Sequence, residues 1–94
     1  MENMVEGKYR IIWVDGTEII ISEKPNDKSI NKAIGCDCTD SVDLKGGQVM
    51  IVDDAGQLKG LPVNKKASAL ASQRLGRTYT IYGIAVIAND RDFA

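Results

Sequence analysis

Lys65 and Lys66 stand side by side where a helical pattern begins, directly after Asn64, in the run Gly60-Leu61-Pro62-Val63-Asn64-Lys65-Lys66. The first amides of a helix have no partner within it, and the helix dipole adds roughly half a positive charge at that end. Acids are favoured there. Two lysines are therefore either a tolerated cost, with both side chains in solvent, or a deliberate cationic site for a phosphate or carboxylate. From Ala55 to Asn89 the chain carries Lys59, Lys65, Lys66, Arg74 and Arg77 and no acid, whereas Asp37 to Asp54 holds five aspartates against Lys45 alone. Either the two segments are neighbours that neutralise one another, or the basic one attracts an anion locally.

The ligand-binding candidates are Asn64, Lys65, Lys66, Ser68, Arg74, Arg77 and Tyr82. Arg74 and Arg77 fall at the far end of the same helical pattern, where a structural reason for them, the negative end of the dipole, is sufficient. At ~1.5 Å rise per residue they are too distant from Asn64 to share a small ligand within one subunit. Tyr82 could stack on a base if exposed.

Other chemistries are poorly supplied. The chain has no histidine, which removes the commonest general base and the commonest metal ligand together. Cys36 and Cys38 are too close along the chain for an easy disulfide and leave no third cysteine, so a reducing cytoplasm is the simple reading. With Asp37 and Asp40 they could hold zinc only by borrowing ligands from another chain. Asp53 and Asp54 are explained by turn chemistry. The expectation is a protein that is not an enzyme and needs no cofactor or metal.

The elements that must position these residues are short. Ninety-four residues, 44% hydrophobic and 27% charged, make one globular domain, expected over residues 1–94 with 1–7 frayed. No apolar run approaches the ~18 residues of a membrane span, and no leader pattern is visible, so a soluble protein is expected. Lys8–Val14 and Thr17–Ser22 read as strands around Asp15-Gly16, with a type I′ turn between them. Pro25–Ile34 reads as a short helix capped by Asp27 and ended by Gly35. Asp37–Leu44 and Gln48–Asp53 form a second hairpin around Lys45-Gly46-Gly47, and Gln57–Leu61 a short strand or extended link. Asn64–Leu75 is a helix with Asn64 as cap and Gly76 at its end. Thr78–Ala88 closes the fold as a long, central strand. The fold class is α+β, ββαββαβ in order, with two helices on one face of a mainly antiparallel sheet. Tyr9 and Trp13 share parity with Ile11 and read as core. Gly83 reads as a bulge or a place of close approach. A homo-oligomer would let so small a domain bury more surface.

The run Gly60-Leu61-Pro62-Val63-Asn64-Lys65-Lys66-Ala67 resembles a family of short proteins from bacteriophages, prophages and conjugative elements, catalogued as a domain of unknown function. The resemblance extends to the acidic turn Asp53-Asp54-Ala55-Gly56 and to Ile81-Tyr82-Gly83-Ile84-Ala85-Val86. Cys36-Asp37-Cys38 departs from the pattern that follows the family's earlier glycine. It implies a mobile-element origin and brings no assigned activity or active-site residues. By analogy with small phage proteins that counter host defences, the leading expectation is an accessory protein that sequesters a small anionic ligand, such as a cyclic nucleotide signal, in the host cytoplasm. The alternatives are a protein that masks a host defence effector, in which the acidic stretch matters more, and a nucleic-acid-binding regulator, which a slightly negative chain disfavours.

Overall fold

The computed structural model describes residues 7–93; the expected fraying at the amino terminus otherwise lies outside the described residues, and Gly7 is buried. Five strands form one antiparallel sheet: β1 Tyr9–Ile12, β2 Glu18–Ile21, β3 Thr39–Lys45, β4 Gln48–Asp53 and β5 Ala85–Asn89. Their spatial order is β2-β1-β5-β4-β3, so the closing strand is central, as its unbroken apolar run requires. Two helices, α1 Asp27–Ile34 and α2 Lys65–Leu75, complete the α+β domain, and a 3-10 turn follows at Asp90–Phe93.

The helices lie on opposite faces of the sheet, not on one. Alternate residues of a strand face opposite ways, and the core divides accordingly. Ala67 and Ala71 of α2 pack with Ile12, Leu44, Met50, Ala85 and Ile87. Ile30 and Ile34 of α1 pack with Tyr9, Ile11, Ile51, Val86 and Ala88. Val86 and Ile87 are neighbours in one strand and serve different cores. A central strand buried on both faces needs a layer on each side, which one helical layer cannot supply. Tyr9 is core, and half-buried Trp13 packs against the same cluster.

Local details depart from expectation for identifiable reasons. The β1–β2 connection is a three-residue loop: the Gly16 amide donates to the Trp13 carbonyl, and the Trp13 amide to Thr17. Only Gly16 takes positive φ there, at 92°, so the geometry is a type I turn with a glycine bulge instead of type I′. Asn26, not Asp27, caps α1, because its side chain and Ser29 form a reciprocal capping box. Residues 54–60 form successive turns and no strand. The closing strand is shorter than its composition predicts. Residues 78–82 follow α2 instead, because Ser72 Oγ accepts from the Tyr79 amide and Ser68 Oγ from the Ile81 amide, both at 2.8 Å. Gly83 then turns the chain into β5 with φ of 83°. A Cβ at that position would lie 2.8 Å from Leu61 Cδ1, a close approach of the expected kind.

Candidate functional site

α2 crosses its face of the sheet diagonally, and its two ends are tied to opposite corners. At its start, Asn64 is wholly buried. Its Oδ1 accepts from the Ala67 amide at 3.0 Å as the helix cap, while Nδ2 donates to the Ile12 carbonyl at 2.9 Å and the Gly83 carbonyl at 3.0 Å. Its own amide donates to Ile81. Lys66 pairs with Glu18 on β2 and reaches the Gly16 carbonyl at 3.4 Å. At the other end Arg74 donates to Gln48 Oε1 at 2.6 Å and the Lys45 carbonyl at 3.4 Å, beside the β3–β4 turn.

The residues singled out from sequence are thus distributed among several tasks. Asn64 is a cap and a tether. Ser68 clips the return segment. Arg74 anchors the helix end, and Arg77 lies 4.9 Å from the centre of the Tyr79 ring and donates to its hydroxyl. Tyr82 is half-buried and bridges Val63. Lys65 and Lys66 are exposed. The Lys66 ammonium holds the Glu18 carboxyl below its ordinary range, first through their hydrogen bond. The acidic and basic segments meet at Asp53 and Lys59, 2.7 Å apart. The positive field at the start of α2 is therefore partly cancelled, by an acid from β2 and not by the upstream aspartates.

A better-formed hollow lies elsewhere on the same face. The tethers of α2 sit at the β1–β2 turn and at the β3–β4 turn, which leaves one corner of the sheet uncovered. There Lys8, Arg10, Ile20, Gln48, Ile87 and Asn89 line a hollow of about 210 Å³. The register explains their convergence: Arg10 stands opposite Ile20 on β2 and Ile87 on β5, and Gln48 stands opposite Asn89. Lys8 shares the parity of Arg10. Buried Ile87 forms the floor, and Ile20, 61% exposed, forms an apolar rim. Neighbouring depressions extend the surface past Asn89 to Arg91 and to the acids Asp90 and Asp92, and Asn89 Nδ2 donates to Asp92 Oδ2 at 3.3 Å. Arg10 is half-buried and 3.4 Å from Glu18, a shared partner that leaves it donors to spare. The Arg74–Gln48 bond stands at one wall.

Sequence reasoning missed this site because its residues come from four strands and adopt no local spacing. One signal was available. In Lys8-Tyr9-Arg10-Ile11-Ile12, cations alternate with buried positions in a strand that is otherwise apolar.

The cysteines serve no such convergence. The Cys36 thiol donates to the Cys38 carbonyl at 3.2 Å, and burial, followed by the charge of Asp53, pushes its pKa up, which disfavours the reactive thiolate form. Among the described residues no three Cys, Asp or Glu side chains gather as a metal site, and no helix is long and apolar enough to cross a membrane. A family model described as a domain of unknown function, DUF3846, matches residues 4–93. No match is found among curated proteins or among solved structures.

Proposed function

The chain belongs to the DUF3846 family, and we propose that it works by binding a small anionic ligand of nucleotide type in the corner that α2 leaves bare, without chemical conversion. The observation that carries this reading is the convergence of Lys8 and Arg10 with the Gln48 and Asn89 amides over an apolar floor. Two cations suit a phosphate, and Arg10 can offer a planar fork of donors. The amides suit the polar edge of a base, and Ile20 and Ile87 suit its flat face. Sequestration asks only for affinity, and the chain has no histidine to serve as general base. The likeness of Gly60–Ala67 to small phage and mobile-element proteins suits counter-defence as the setting, by analogy only, and the cyclic nucleotide is proposed on the chemistry of the hollow.

Calorimetry with a panel of cyclic nucleotides tests the proposal. Lys8→Ala and Arg10→Ala should each weaken binding by about 10- to 100-fold, the worth of a charge-assisted hydrogen bond. Lys65→Ala, at the start of α2 and outside the Arg10–Glu18–Lys66 cluster, should change it little. A reversed ranking would move the site to the start of α2, and silence across the whole panel would remove the nucleotide reading altogether.

A further inference from the structure

The two edges of the sheet are unequal. β3 is guarded: a bulge interrupts its pairing between Asp43 and Lys45, exposed Asp40, Asp43 and Lys45 punctuate it, and its Ser41 and Lys45 amides are taken up by the Asp40 and Asp43 carboxylates at 2.9 and 2.8 Å. These are devices that keep other strands from adding. β2 has none of them. It holds the opposite edge with the regular register Tyr9↔Ile21 to Ile12↔Glu18, no bulge, no proline and no lysine. Ile19 is 43% and Ile20 61% exposed on an edge strand that no described element covers. Its one charge, Glu18, is already met by Arg10 and Lys66 from its own chain.

We infer that β2 pairs with β2 of a second copy of this chain about a twofold axis, joining two five-stranded sheets into one of ten strands. The occupant is a second copy because the strand complements itself. In an antiparallel pair directly opposed residues share a face, so a twofold register centred on Ile20 sets Ile20 against the partner subunit's Ile20. It also sets Ile19 against the partner subunit's Ile21. Glu18 then falls opposite the partner subunit's Ser22, and no like charges meet. Main-chain hydrogen bonds supply the affinity, as in other strand additions. The contact is smaller than the ~800 Å² per partner of a standard interface, so the dimer belongs in the micromolar range. Since Ile20 also rims the basic hollow, the two hollows adjoin across the axis. The pairing itself stands on the edge geometry and does not depend on the nucleotide reading.

Sedimentation equilibrium from about 1 to about 200 µM, run without any ligand, should show reversible monomer–dimer exchange. Ile20→Lys, which places a guard charge on the edge, should weaken the dimer at least ~10-fold with unchanged far-ultraviolet circular dichroism. In a background where Cys36 and Cys38 are serine, Ile20→Cys should form an intersubunit disulfide under mild oxidation, and Ile19→Cys, displaced from the axis, should form far less. A monomer throughout that range, a dimer indifferent to Ile20→Lys, or cross-linking that favours Ile19→Cys would each overturn the inference. Should Ile20→Lys unfold the chain, the cysteine pair decides the matter alone.

Discussion

At the scale of single residues, the most consequential side chain is Asn64. Its Oδ1 holds the first turn of α2, and its Nδ2 ties the end of β1 to the Gly83 corner. Asn64→Ala would strand one buried donor and two buried carbonyls, at about 3 kcal/mol or more. Asn64→Asp would keep the cap but turn a carboxylate oxygen toward two carbonyls, and should be at least as harmful. Urea titrations read both losses, and a stability within about 1 kcal/mol of the parent would disprove the tether. Asp53 makes a prediction about acid. The Lys59 ammonium, and then the Ala55 amide, hold its carboxyl below the ordinary value of 3.8. A group whose folded pKa is depressed stabilises the fold above its unfolded pKa, and that contribution is lost as pH falls through the folded value. Asp53→Asn should therefore flatten the decline of melting temperature below about pH 4 while leaving its slope near neutrality unchanged. An identical acid profile for both proteins would show that the pair does not contribute to acid stability.

At the scale of elements, much was legible in the sequence and the failures have physical causes. Asn64 and Gly76 announce both ends of α2 because caps are local chemistry: one side-chain bond to an amide, one left-handed residue. The Lys45-Gly46-Gly47 turn is equally local, with positive φ at all three residues. Residues 78–82 have strand composition, yet Ser68 and Ser72 compete for the amides at positions 79 and 81. Nothing in Thr78–Tyr82 itself announces partners four residues apart on a helix. The placement of the helices was also hidden. α1 and α2 each show an apolar stripe, but which face of the sheet a stripe meets is decided by connections, not by composition. The basic hollow was invisible for the same reason. Lys8, Arg10, Gln48 and Asn89 become neighbours only through the register of β1, β5 and β4. Conversely Lys65 and Lys66 attracted attention by adjacency, and Glu18, which meets Lys66, lies far away in sequence.

At the scale of the whole molecule, a single sheet is sealed by one helix on each face and ends in two edges of different character. The diagonal course of α2 decides what is left open. A helix parallel to the strands would cover one strip evenly; this one is fixed at two corners and vacates a third, where Arg10 and Lys8 stand. The knot at Asn64 has a further effect on motion. Because one buried amide group joins α2, the last residue of β1 and the corner before β5, the start of the helix cannot fray without prising open the sheet. In native-state hydrogen exchange the Ala67 amide should therefore exchange only with the global opening that releases β5. Exposed amides in the turns of residues 54–60 should exchange orders of magnitude sooner. If Ala67 instead kept pace with those turns, α2 would be a loosely hinged cover.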